Sequence, residues 1–380
     1  WTYREMPDNP DRIPLRENPA GQGLLLAAMA LMALGVVIVL SACARVGFDG
    51  RLGETEARHL RHVAIAVAVL LVGWRIDYRR LQWGRVPAIP LAVLVLSLVL
   101  GAMVFVPGVG RSVGGCRRWV RIGGVGFQPS EFVKVSLIVF LAAWLTRRED
   151  AARSWGSFLI ALLATGQAMA LIVTEDFGTA AIIGLTAAGT MLLAGVPLYR
   201  LALPAPLAAG GFYAFVMQAP HRWARIAVLS QDPWTSTTPG AYQPRQSLLA
   251  IATGGWTGKG LGAGMQKFFL PERSTDFIFS VFCEECGFIG ALLLLGLLGL
   301  WMWNARRAAV EAPDAFGRTL AGALGLLIAL QAVLHIAVDT VIAPPTGISL
   351  PFVSYGGSAL LALAAAAGLM VAVTSRRFVS

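Results

Sequence analysis

Residues 264–290 read GMQKFFLPERSTDFIFSVFCEECGFIG. Lys267, Pro271, Glu272, Arg273 and Asp276 stand directly before a long apolar run that continues as a helix. Asp276 falls where the polar segment meets the apolar one, so its carboxylate is within reach of a lipid headgroup and partly screened from water. The same position suits an N-cap, with Ser274 and Thr275 before it and a helix after it. Two readings follow: a helix cap, or a group that deprotonates a hydroxyl or holds a divalent cation. Glu284 and Glu285 lie further into the run, where an acid must face a polar interior rather than lipid. Cys283 and Cys286 have C-x-x-C spacing inside the helix, which suits packing better than a metal or redox role.

The rest of the chain is of the same kind. Of its 380 residues 56% are apolar and only 14% charged, against about 25% charged in soluble domains. A spanning helix needs about 20 mostly apolar residues. Ten segments qualify, near 24–44, 60–74, 86–106, 130–146, 156–173, 177–196, 198–217, 277–303, 316–342 and 352–373. Backbone groups in lipid must be satisfied internally, which selects helices over open sheet. The expected fold is therefore an all-α polytopic membrane protein of about ten transmembrane helices. One long extracytoplasmic loop, 218–276, joins helices 7 and 8. Residues 1–23 form a cytoplasmic N-terminal tail, 24–374 the membrane domain and 375–380 a cytoplasmic C-terminal tail. Leu40-Ser41-Ala42-Cys43 has the look of a lipoprotein cleavage site. The preceding polar segment is long and acidic and further spans follow, so 24–44 is expected to be the first span.

The net charge of +10 points to membrane topology, not nucleic acid. Fifteen arginines lie in segments on the N-terminal side of the membrane, against eight in the short loops 45–61 and 107–129. That bias places both termini in the cytoplasm. Only three lysines occur, Lys134, Lys259 and Lys267. All fall on the opposite side, where orientation does not explain them.

Loop 218–276 is long enough to imply a role of its own, and Trp223, Trp234, Tyr242 and Trp256 suit a membrane interface. Its Gly-rich part, 253–264, lacks Walker spacing. It is either an interfacial or re-entrant segment, or a set of backbone N–H groups offered to a pyrophosphate. Residues 117–134, RRWVRIGGVGFQPSEFVK, place Pro129 and Glu131 in the first turn of a helix. Gln128, Glu131 and Lys134 share one face. A lysine inside a span needs a partner, so Glu131 and Lys134 are expected to pair. That pair is either purely structural or the polar floor of a cavity for a charged headgroup. Arg117, Arg118 and Arg121 stand beside it, solvated or ready to meet phosphate. His335 and Asp339, spaced i,i+4, are either a local hydrogen-bonded pair or part of a relay.

Several of these segments, in order, resemble the SEDS family, the RodA/FtsW/SpoVE group of peptidoglycan glycosyltransferases. They are Arg118-Trp119 followed by Phe127-Gln-Pro-Ser-Glu-Phe-Val-Lys134, Glu175-Asp-Phe-Gly-Thr-Ala180, Tyr242-Gln243 with Gln246-Ser247-Leu248, and Gly258 to Gly262. Gln266-Lys267 with Leu270-Pro-Glu272, Asp276-Phe-Ile-Phe279 with Cys283-Glu-Glu285, and Pro351-Phe-Val-Ser-Tyr-Gly-Gly-Ser358 complete the set. The chain departs from the family at His335, Asp339, the Ala343-Pro-Pro-Thr346 stretch and the run before Arg118.

The resemblance implies polymerisation of lipid II into β-1,4 glycan strands at the outer face of the bacterial cytoplasmic membrane, for division or elongation. It also implies a class B penicillin-binding protein as partner and dependence on a divalent cation, Mg²⁺ or Mn²⁺. It makes Asp276 the catalytic group, and a possible metal ligand. The family's conserved Glu and Lys fall on Glu131 and Lys134; together with Arg118, Gln128, Ser130 and Lys267, read from their place in the sequence, these are the expected substrate-binding set. An α-linked donor giving a β-linked chain needs one inverting displacement, hence one base and one leaving-group stabiliser. A lipid II flippase and a non-enzymatic scaffold for a penicillin-binding protein are the rival functions.

Overall fold

The computed structural model describes residues 13–43, 53–84, 86–113, 116–123, 125–218, 223, 229, 233–236 and 239–376. Residues 1–12 of the expected N-terminal tail and 377–380 of the C-terminal tail lie outside the described residues. The chain is predominantly helical. Its described helices are α1 (Pro19–Cys43), α2 (Glu54–Arg75), α3 (Ala88–Ala102), α4 (Pro129–Leu145), α5 (Trp155–Val173), α6 (Phe177–Leu193), α7 (Leu198–Ala202), α8 (Ala205–Met217), α9 (Tyr242–Gly254), α10 (Ile278–Val310), α11 (Ala315–Asp339) and α12 (Gly357–Thr374). Seven of the described helices are long and apolar enough to cross a membrane, and α6 is a shorter apolar helix. Each of the ten expected segments contains helix. The seventh is broken between α7 and α8 at Leu203-Pro204, as proline in a helix dictates.

Two sets of polar contacts define the bundle's ends. At one end Asn18 donates to Thr374 Oγ1 (2.9 Å), Arg376 pairs with Asp77 (3.0 Å), and Tyr78 donates to Asp314 (2.6 Å). At the other, the Gln128 amide donates to Ser358 Oγ (2.9 Å) and the Ser354 hydroxyl to the Thr275 carbonyl (2.8 Å). The second end also carries a three-stranded antiparallel sheet, β1 (Gly110–Val113), β2 (Cys116–Ile122) and β3 (Val125–Phe127), in the order β1-β2-β3. This sheet adds to the helical expectation. The strands lie in the segment between α3 and α4, outside the apolar runs.

The longest helix is not continuous. At 33 residues, α10 would measure about 50 Å, against a hydrocarbon thickness of about 30 Å. Gly287 (φ 66°, ψ −166°) breaks it. Residues 255–260 insert at the break. The Lys259 and Gly260 amides donate to the Glu284 and Glu285 carbonyls (3.0 Å each). The Phe288 and Ile289 amides donate to the Gly255 and Trp256 carbonyls (2.9 and 3.1 Å). The loop thus satisfies the backbone groups that a broken helix exposes.

Only glycine fits the break: a Cβ on Gly287 would lie 2.3 Å from the Gly258 nitrogen, on a backbone conformation that side chains rarely adopt. We expect Gly287→Ala to lose roughly 2–4 kcal/mol of stability, read as a lower unfolding temperature in detergent. Gly296→Ala, which would meet nothing within 4 Å, is the control and should leave it unchanged.

Candidate active site

Asp276 lies at the sheet end of the bundle, two residues before α10. It is not the cap of that helix. The N-cap position is Phe277, and no side chain there accepts a hydrogen bond. The cap reading of Asp276 is therefore set aside. Its backbone amide closes a turn onto the Glu272 carbonyl (3.0 Å), with Glu272 itself at φ 54°, a costly conformation for a non-glycine residue. The carboxylate is left half-buried, and burial, reinforced by the negative charge of Glu272, pushes its pKa up to about 6 against the opposing pull of Arg118.

Arg118 comes from β2, whose alternation separates the three arginines. Arg117 and Arg121 are exposed, while Arg118 turns inward with Val120. Asp176 and Glu175, at the start of α6, hold it. Arg118 Nε donates to the Glu175 carbonyl (2.9 Å), and Nη1 lies 3.2 Å from Asp176 Oδ2. Asp176 also caps α6 by accepting the Thr179 amide (3.0 Å). Burial raises its pKa, opposed chiefly by Arg118. The Asp-Phe-Gly-Thr spacing before an apolar run carries that cap in sequence, but not its second contact to Arg118.

Gly347, at φ 71°, stands between Arg118 and Asp276. A Cβ there would lie 3.0 Å from Arg118 Nη1 and 3.5 Å from Asp276 Oδ2. The guanidinium and the carboxylate therefore face one point, kept open by a residue without a side chain. Arg118 also lines a small groove between α3, α4 and α5. Arg117, Arg118, Ser130, Glu175 and Asp176 make its polar end, and Val104, Phe105, Val133, Leu171 and Ile172 its apolar wall. The groove is therefore polar at one end and apolar along its flank.

The other expected residues divide. Ser130 lines the groove, and Gln128 donates to its hydroxyl (3.2 Å). Glu131 and Lys134 pair as expected, with Nζ 2.9 Å from both carboxylate oxygens, but both are buried. They form a closed pair beside the groove rather than an open cavity floor. Lys267 differs from the expectation of a substrate ligand. It is 1% exposed and its ammonium is taken by the Ser41 carbonyl (3.0 Å), the Gly262 carbonyl (2.8 Å) and Glu285 (3.0 Å). An ammonium has three donors, and all are occupied.

Lys259 pairs with Glu284 (2.7 Å). All three lysines of the chain are thus matched to buried glutamates, which accounts for their placement. In the Gly-rich stretch the Lys259 and Gly260 amides bond to α10 and the Gly262 amide to Ser41 Oγ (2.8 Å), so these three N–H groups are not offered to a pyrophosphate. Cys43, Cys283 and Cys286 are free thiols. His335 and Asp339 do not form the expected local hydrogen bond, since their closest atoms are 3.8 Å apart.

Fold and site together define a multi-pass membrane protein with an acid–guanidinium site at one end of its helix bundle, its arginine also lining a small groove. The chain belongs to the FtsW/RodA/SpoVE family, whose model, described as "Cell cycle protein", matches residues 22–378. It is 36% identical over 351 residues to the probable peptidoglycan glycosyltransferase FtsW of Saccharophagus degradans, covering 89% of this chain and 88% of that one. It is 34% identical over 358 residues to the stage V sporulation protein E of Bacillus subtilis, covering 92% and 96%. Among solved structures, a chain of a peptidoglycan synthase complex that coordinates polymerization and crosslinking superposes with a TM-score of 0.72 at 27% identity, covering 93% of this chain and 97% of that one. The rod shape determining protein RodA of Thermus thermophilus gives 0.65 at 27% identity, covering 93% and 95%.

Proposed function

We infer that the protein is a peptidoglycan glycosyltransferase that polymerises lipid II into β-1,4 glycan strands. The observation that carries this reading is the Asp276 carboxylate, free of capping duty and facing Arg118 across Gly347, with Arg118 also lining a pocket that has an apolar wall. Asp276 removes the proton from the acceptor sugar hydroxyl. Arg118 meets the pyrophosphate that leaves the donor, as a guanidinium preorganised by Asp176 and the Glu175 carbonyl. Ser130 and Gln128 orient the head within the groove, and the lipid tails lie along Val133, Leu171 and Ile172. Glu131 and Lys134 act indirectly, by fixing the start of α4. The sheet end then faces the outside of the cytoplasmic membrane and both termini the cytoplasm, in line with the arginine bias. A class B penicillin-binding protein completes the synthase.

Among the described residues no three His, Cys, Asp or Glu side chains gather as a metal cage. Asp276 offers one carboxylate, so the residues fit Mg²⁺ or Mn²⁺ only where substrate phosphate and water supply the other ligands. Held by Asp276 in that way, a cation would supply positive charge against the departing pyrophosphate.

Purified protein, with and without a class B penicillin-binding protein, incubated with labelled lipid II in detergent should yield glycan ladders on a gel. Detergent leaves no membrane to cross, so a flippase or a scaffold gives none. Because the base works ionised, polymerisation should fall as pH drops through about 6. A rate–pH profile that stays flat from pH 8 to pH 5 excludes Asp276 as the base.

A further inference from the structure

Asp339 ends α11 behind the active site. Its Oδ2 lies 2.8 Å from the Ser280 amide and 2.9 Å from Ser280 Oγ. Ser280 Oγ lies 2.6 Å from Ser247 Oγ, which lies 2.6 Å from the Asp339 carbonyl. Those three oxygen–oxygen contacts form a closed ring through α9, α10 and α11. Each contact needs one hydrogen, a serine hydroxyl supplies one, and a carbonyl supplies none. Ser247 and Ser280 therefore provide two hydrogens for three contacts. The third must come from the carboxyl group.

The surroundings agree with that count. Asp339 is fully buried, and among the described residues its only ion-pair candidate is His335, at 3.8 Å. His335 Nδ1 lies 2.7 Å from the Ile348 carbonyl. A carbonyl only accepts, so Nδ1 carries the hydrogen, and Nε2, at 3.8 Å, stands beyond hydrogen-bond reach of the Asp339 carboxyl. Cys283 on α10 and Asp276 are the other titratable groups acting on Asp339, and neither brings positive charge. Glu131, Glu284 and Glu285 each have a lysine within 3.0 Å, whereas Asp339 has no cation, and an unpaired buried carboxylate is costly.

We propose that Asp339 is held as a neutral carboxylic acid and is a positioning residue for Asp276. Its hydroxyl donates to Ser280 Oγ, Ser280 donates to Ser247 Oγ, and Ser247 donates to the Asp339 carbonyl. Oδ2 meanwhile accepts the Ser280 amide, the third residue of α10, and so serves as the cap that Phe277 does not provide. The helix start is fixed from α11, and the neighbouring Asp276 is left to face substrate. The positioning role rests on the assignment of Asp276 as the active acid, while the protonation state does not.

Infrared difference spectra of the purified protein at pH 8 test the protonation state. The wild type minus Asp339→Asn spectrum should contain the carbonyl stretch of a protonated carboxylic acid, shifted in D₂O. Wild type minus Asp276→Asn should lack it. Lipid II polymerisation tests the role. Asp339→Asn, neutral and able to donate, should retain activity within about threefold, whereas Asp339→Leu should lower kcat by about tenfold or more with KM little changed. Absence of the acid band overturns the proposal, and so does an Asp339→Asn variant as impaired as Asp339→Leu, or an Asp339→Leu variant with wild-type kcat. Should Asp339→Leu fail to fold, the Asp339→Asn spectrum and rate decide. An active Asp276→Asn variant with the Asp339 band intact would remove the assignment of Asp276 and the positioning role, but leave the neutral acid standing.

Discussion

Asp276→Asn should abolish polymerisation, lowering the rate by at least about 10³-fold, while making the protein more stable at neutral pH. The second half of this result separates catalysis from folding. The Asp276 pKa rises from 3.8 to about 6 in the folded state, so the native protein binds its proton more tightly than the unfolded chain does. The resulting stabilisation is complete below about pH 4 and is lost as pH rises through about 6. At pH 7.5 the ionised carboxylate therefore costs the native state at most about 3 kcal/mol relative to a neutral group. Asparagine removes the charge and keeps the shape. Thermal unfolding should show a higher midpoint for the variant at pH 7.5, and a difference that shrinks toward pH 5. A variant that is inactive because it is misfolded would show the opposite order. A variant that still elongates glycan at the wild-type rate would take Asp276 out of the reaction.

Lys267→Met should damage the fold and spare substrate binding. The substitution leaves Glu285, which is fully buried, with the Ser41 hydroxyl as its one remaining side-chain partner among the described residues. Removing one member of a buried ion pair typically costs about 3–5 kcal/mol. Lys267→Met/Glu285→Gln should recover much of that loss, because neither charge is then stranded. Unfolding midpoints of the two single variants and the double variant measure the coupling. Activity per folded molecule should keep an unchanged KM for lipid II. A raised KM with undiminished stability would instead make Lys267 a substrate ligand.

The spans were legible because the length of an apolar run is a local property. The Glu131–Lys134 pair was legible because its residues stand three apart on one helix. Partners far apart in the chain were not. Lys259 and Lys267 were visible, but their pairing with Glu284 and Glu285 is set by tertiary approach. The strand Cys116–Ile122 was hidden because its alternation is carried by arginines, which read as a basic loop. Gly287 was hidden because Cys-Gly-Phe-Ile-Gly reads as uninterrupted apolar helix, and only the inserted loop makes a break there affordable. At Asp276 the residue was found, but the choice between cap and reactive acid was not. That choice depended on Asp339, a residue of another helix, taking over the cap.

The inserted loop also bears on how the protein is made. Residues 255–260 leave the ribosome before α10 does, and they are the partners that the groups around Gly287 require. Translocation of the preceding segment must therefore be finished when α10 enters the bilayer, or its interrupted backbone meets lipid unpaired. A permuted chain that delivered α10 first would have to assemble this part of the bundle with a polar gap in its longest helix.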